Sequence, residues 1–169
     1  MTRTTELIAR AAIVAEGHLL LCRIKGWSIT FLPGGRIEFR EPAEAALARE
    51  IQEELGIAVH VGRFLGAAEH GWEDARGQRH EVNLVFAVEC PGLNASRPVT
   101  SKESHIDFLW QPIDRLEEQR LEPSVLRSLL PKWIDSQSAS GWASTLRGPE
   151  GSTPSRNQSS RSQPSRNQP

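Results

Sequence analysis

The chain lacks most of the residues that mark a cross-linked or membrane-embedded protein. Among its 169 residues there are two cysteines, Cys22 and Cys90, and they form no C-x-x-C pair. That excludes a disulfide scaffold and a cysteine zinc site. No apolar run reaches the roughly 18–20 residues a bilayer span needs. The apolar stretch from Leu7 to Leu21 is broken by Arg10 and Glu16, which fits two short strands and not a signal peptide. Excess charge is missing too: 20 Lys+Arg against 21 Asp+Glu leave a net of −1. A broad basic face for wrapping nucleic acid is therefore not expected. Two isolated thiols without an export signal fit a reducing cytoplasm, and no membrane partner is expected.

Large apolar residues are scarce beyond Ser136. The last 34 residues include ten serines, and Trp142 and Leu146 are their only large apolar side chains. Pro-Ser-Arg-Asn-Gln occurs twice there, at 154–158 and 164–168. A segment with so little to bury cannot offset its chain entropy, so 136–169 is expected to be a disordered tail. With four Arg and one Glu the tail carries +3, which leaves −4 on residues 1–135, the expected folded domain.

What is present alternates between strand and helix signals. Ala11–Ala15 and His18–Ile24 are expected strands around a Glu16-Gly17 turn, and Ile29–Leu32 is a short extended piece. Residues 42–55 have helical periodicity. Val59–Glu69 and Glu81–Glu89 are strand-like on either side of a hairpin tip at 74–77, and Ile106–Trp110 is a further strand. Pro123–Ile134 closes the domain as a helix with Val125, Leu126, Leu129, Leu130 and Trp133 in its stripe. Mixed strands with two separated helices imply an α/β fold, a mixed sheet covered on both faces.

The helix at 42–55 carries the chemistry. Pro42 suits its first position and Gly56 its left-handed end. At 100° per residue, Leu47, Ala48, Ile51 and Leu55 share the buried face, and Glu50, Glu53 and Glu54 share a second. Three carboxylates at that spacing repel one another. A solvated acidic face tolerates this, and a hard divalent cation, Mg²⁺ or Mn²⁺, relieves it. Gly34 and Gly35, just before the helix, allow close backbone approach to a ligand, and the Gly35 carbonyl could join a metal site. Arg49 can hold carboxylates by forked hydrogen bonds.

Gly35, Glu41, Arg49, Glu50, Glu53, Glu54 and Gly56, with apolar Ile51 and Ile57, fill every fixed position of the Nudix box, and Leu32-Pro33-Gly34 and Glu38 also match. The chain thus resembles the Nudix hydrolase family over these 23 residues. The resemblance implies an α/β/α sandwich and a Mg²⁺- or Mn²⁺-dependent hydrolase that cleaves a diphosphate linkage in a nucleoside diphosphate derivative. It implies metal-binding roles for Glu50, Glu53, Glu54 and Gly35, and a loop-supporting pair in Glu41 and Arg49. The base that activates water would be a box glutamate, Glu50 or Glu53, or one outside the box; Glu103 is the first outside candidate and Glu81 the second. Family members often pair as homodimers, and some sense nucleotides without cleaving them. This chain keeps every box carboxylate, which favours the enzyme.

The attached group is less legible. Position 73 is Glu where an ADP-ribose signature would have Pro, and the chain has no tyrosine, so a signature resembling that for dinucleoside polyphosphates is absent. Trp27, Phe31 and Trp72 are candidates either for stacking on a base or for packing. His70 and His80 flank the hairpin without a zinc-ligand spacing.

Overall fold

The alternation of apolar residues becomes a sheet whose two faces feed two cores. A computed structural model of the chain describes residues 4–74, 77–136 and 141–146. Strands β1 (Thr5–Ala12), β2 (Val14–Ala15), β3 (His18–Ile24) and β4 (Gly34–Arg36) precede helix α1 (Ala43–Leu55). Strands β5 (His60–Asp74), β6 (Gly77–Glu89) and β7 (Ile106–Pro112) follow. A 3₁₀ helix at Ile113–Gln119, helix α2 (Leu126–Asp135) and strand β8 (Gly141–Ser144) complete the order. One mixed sheet runs β4-β1-β6-β5-β8 and a smaller one β2-β3-β7.

Period-two alternation sends neighbouring side chains to opposite faces. Ala11, Leu20 and Phe86 pack with Leu47, Ile51 and Leu55 of α1. Their neighbours Ala12, Leu19, Leu21 and Val85 pack with Leu126, Leu130 and Trp133 of α2. The result is the expected α/β fold, with helices on both faces of a mixed sheet.

Several details differ from the sequence expectation. Residues 29–32 form only isolated bridges, at Thr30 and Phe31. Regular pairing instead takes the glycines: β4 lies antiparallel to β1, with Arg10 opposite Gly34 and Ala9 opposite Gly35. In α1 it is Ala46, and not Ala48, that is fully buried. The tail expectation fails at Gly141–Ser144, which pairs in parallel with Gly66–Glu69 of β5. Backbone hydrogen bonds to an open sheet edge stabilise a short strand even where side chains offer little to bury. Residues 137–140 and 147–169 of that expected tail lie outside the described residues, as do 75–76 at the hairpin tip. Among the described residues, no helix is long and apolar enough to cross a membrane.

Candidate active site

The junction of β4 and α1 depends on two missing β-carbons. Gly34 has φ of 124°, and a β-carbon there would overlap the Ala9 carbonyl oxygen and the Leu47 side chain. A β-carbon on Gly35 would overlap the Glu50 carboxylate. Bare backbone therefore lies directly against a glutamate of the helix. The connecting turn is closed at Glu41, whose N–H donates to the Glu38 carbonyl at 3.0 Å. Its Oε2 accepts the Glu38 N–H at 3.0 Å. Arg49 then forks onto Glu41, from Nε to Oε1 at 2.9 Å and from Nη2 to Oε2 at 3.0 Å. That fork and the Glu38 N–H hold the Glu41 carboxyl at about 2, well below the usual range. Arg49 Nη2 also donates to the Arg36 carbonyl at 3.2 Å, which ties the helix to the end of β4.

The three remaining glutamates share a helix surface but not a common point. Arg49 Nη1 donates to Glu50 Oε1 at 2.7 Å and reaches Glu53 Oε2 at 3.5 Å. Glu53 stays half exposed, whereas Glu54 turns inward and is 5 % exposed. Its Oε2 accepts the Gly34 N–H at 3.2 Å. Burial pushes the Glu54 carboxyl up to about 8; the Gly34 N–H and Arg10 oppose the rise, and the charges of Glu50 and Glu103 add to it. Among the described residues, no three acidic, histidine or cysteine side chains are arranged to enclose an ion. The single acidic edge expected from periodicity is thus divided between Arg49 and the Gly34 amide. The donor set nevertheless fits a hard divalent cation. It is all oxygen, and it adjoins Gly35, where a β-carbon would overlap the Glu50 carboxylate.

Glu54 and Gly34 open onto a cavity of about 700 Å³. Trp27 and Phe31, from the segment between β3 and β4, and Trp72, from β5, all line it. Trp27 and Phe31 meet at 6.4 Å between ring centroids, tilted by 59°. Trp72 stacks with His70 at 5.1 Å and 22°. Burial holds the His70 ring below the usual histidine range.

Sequence reasoning missed Arg10, treating it only as a break in an apolar run. It lies over the Phe31 ring at 5.6 Å. Its Nε donates to Asn83 at 3.0 Å and its Nη1 to the Leu32 and Gly34 carbonyls at 3.1 and 3.3 Å. Asn83 in turn donates to Glu81 at 2.9 Å, so Glu81 is a buried, hydrogen-bonded group in the cavity wall. An Arg inside a strand of small apolar residues was the available signal. A charge placed there must be paired or face a cleft.

Glu103 comes from a loop docked on the end of α1. Lys102 N–H donates to the Glu54 carbonyl at 2.7 Å, and the Ser101 hydroxyl accepts the Glu103 N–H at 3.0 Å. The Glu103 carboxylate lies 3.4 Å from His105, a cavity residue. His70 and His80 do not converge on a metal. His80 bonds Glu69 at 2.9 Å and Thr5 at 3.0 Å, beside a separate cavity of about 400 Å³.

Comparison with known proteins agrees with this architecture. The NUDIX domain pattern matches residues 6–133. The nucleoside triphosphatase NudI of Klebsiella pneumoniae is 30% identical over 134 residues, 70% of this chain and 90% of that protein. A MutT-like protein of Streptomyces ambofaciens is 32% identical over 122 residues, 72% of this chain and 73% of its own. The crystal structure of a MutT NUDIX hydrolase from Burkholderia pseudomallei superposes with a TM-score of 0.55 at 30% identity, over 66% of this chain and 86% of that one. With the box geometry, the fold and these relatives in agreement, the chain belongs to the Nudix hydrolase family.

Proposed function

We propose that this protein hydrolyses a diphosphate linkage in a nucleotide-type substrate, with the phosphates at the β4–α1 junction and the base between the aromatic walls of the large cavity. The carrying observation is that Glu54 and Gly34 line the same cavity as Trp27, Phe31 and Trp72. A phosphate-facing edge and an apolar, aromatic interior within about 700 Å³ suit a ligand with one charged and one flat end. Relatives named as a nucleoside triphosphatase and an ADP-ribose pyrophosphatase support the substrate class.

Glu50, Glu53, Glu54 and the Gly35 carbonyl would hold Mg²⁺ or Mn²⁺, which when bound neutralises phosphate oxygens and eases departure of the leaving phosphate. Arg49 positions Glu50 and Glu53. Glu103 accepts a proton from the attacking water, with His105 beside it to steady the carboxylic acid formed. The new P–O bond forms as the anhydride P–O bond breaks, and the electron pair leaves with the departing phosphate. Arg10, held by Asn83 and two carbonyls, offers a fixed positive charge to a bound phosphate or base edge.

The test is a panel of nucleoside triphosphates, ADP-ribose, nucleotide sugars and dinucleoside polyphosphates with Mg²⁺ or Mn²⁺, read as phosphate or pyrophosphate release. Turnover of at least one class, lost in Glu53→Gln with the melting temperature unchanged, is the expected result. Turnover retained in Glu53→Gln refutes the metal assignment. No turnover of any of these substrates would move weight to the alternative, a Nudix module that binds nucleotides without cleaving them.

A further inference from the structure

The NUDIX pattern ends at residue 133, and strand β8 lies beyond it. Its seat is built for it. A β-carbon on Gly141 would overlap the Trp133 ring, and one on Gly66 would overlap Gly141 itself. These glycines let two backbones and an indole pack in contact, which is scaffolding. The residues just past the strand do something else.

Ser144 Oγ donates to Glu69 Oε2 at 2.9 Å, and the Thr145 N–H donates to the Glu69 carbonyl at 3.0 Å. The Thr145 hydroxyl lies 3.0 Å from His70 Nδ1 and accepts the Gly71 N–H at 3.3 Å. Leu146 occupies the space a β-carbon on Gly71 would need. Three successive residues of β5, Glu69, His70 and Gly71, are thus gripped by three successive residues of the C-terminal segment. His70 is the one whose ring stacks on Trp72, and both rings line the substrate cavity.

We infer that the segment Ser144–Leu146 is a positioning element of the substrate cavity: Thr145 fixes the His70 ring, and through it the Trp72 wall, so that an appended strand sets affinity for the base. This rests on the proposed placement of the base in that cavity. An imidazole free to turn about its own bonds would leave Trp72 without a stacking partner, and a looser wall loses part of its contact with a flat ligand. The phosphate edge at Gly34 and Glu54 is built from β4 and α1 and does not touch this segment. The effect should therefore fall on binding and spare the chemical step.

The test uses the full chain with Thr145→Val, which removes the hydroxyl at constant shape, Thr145→Ser, which keeps it, and Trp72→Ala. KM and kcat are measured with ADP-ribose and dGTP in Mg²⁺. AMP and GMP are also titrated by tryptophan fluorescence, so that the result does not depend on turnover. Thr145→Val should raise KM and the dissociation constant about five- to tenfold, the equivalent of one hydrogen bond. It should leave kcat within about twofold, and Thr145→Ser should restore both binding constants. Unchanged binding in Thr145→Val alongside weakened binding in Trp72→Ala overturns the inference and leaves the proposed function standing. Unchanged binding in Trp72→Ala overturns the inference together with the placement of the base in this cavity, and absence of both turnover and nucleotide binding in the unsubstituted protein overturns the proposed function as well. A fall in kcat that tracks a lowered melting temperature, without rescue by serine, shows scaffolding only and also overturns it.

Discussion

Replacing Glu54 by glutamine should stabilise the metal-free protein at alkaline pH, although it removes a proposed metal ligand. Glu54 is 5 % exposed and, among the described residues, has a single close donor, the Gly34 N–H at 3.2 Å. Burial raises its carboxyl from the ordinary 4.5 to about 8. A carboxyl raised on folding binds its proton more tightly in the folded state. Its contribution is therefore full below pH 4.5 and is lost as pH climbs through 8. Each pKa unit is worth about 1.4 kcal/mol, so a displacement of this size corresponds to at most about 5 kcal/mol. Relaxation and water entry on ionisation reduce this to about 1–3 kcal/mol. Glutamine keeps the shape and the acceptor for Gly34 but cannot ionise. In EDTA at pH 8.5, Glu54→Gln should melt about 4–10 °C higher than the unsubstituted protein, and at pH 5 the two should nearly coincide. Added Mg²⁺ should raise the melting temperature of the unsubstituted protein at pH 8.5 and leave the variant unmoved. The assay is thermal unfolding by circular dichroism at the two pH values, with and without Mg²⁺. A variant less stable at pH 8.5 in EDTA, or a difference independent of pH, would refute the reasoning.

Four further outcomes follow from the same geometry. Gly34→Ala places a β-carbon against the rigid Ala9 carbonyl at a φ of 124° and should cost about 2–4 kcal/mol in thermal unfolding. Gly17→Ala, at a φ of 73° with open space around it, should cost only about 1 kcal/mol. Arg49→Lys keeps the charge but cannot fork onto Glu41 while holding Glu50; kcat/KM on the best substrate should fall about 10–100-fold with little change in melting temperature. Burial pushes the Cys22 thiol up to about 12, so iodoacetamide at pH 8 should leave it unmodified in the folded protein and alkylate it in denaturant, as read by mass spectrometry.

The sequence alone determined the parts governed by local rules. Pro42 and Gly56 bound a helix because their backbone preferences leave few alternatives, and Gly56 indeed takes φ of 71° at its end. The contact of Glu41 with Arg49 was implied by the resemblance to the Nudix box, and the structure places the two in a forked pair. The strand signals at 18–24 and 81–89 marked β3 and β6, whereas the strand expected at 11–15 is split between the end of β1 and the short β2. The tertiary structure decided what depends on distant partners. Glu50, Glu53 and Glu54 share a helix edge by periodicity, yet only Arg49 and the Gly34 amide determine that the first two share one guanidinium while Glu54 is buried. Arg10 became a cavity residue through Asn83, 73 positions away. Trp27, Phe31 and Trp72 could each pack or bind in isolation, and the pairing of strands places them around one cavity. Strand β8 escaped composition altogether, because its hold on the sheet comes from backbone pairing with β5 and from two glycines against Trp133. Apolar content gives no measure of such contacts, which exist only once the sheet edge has formed.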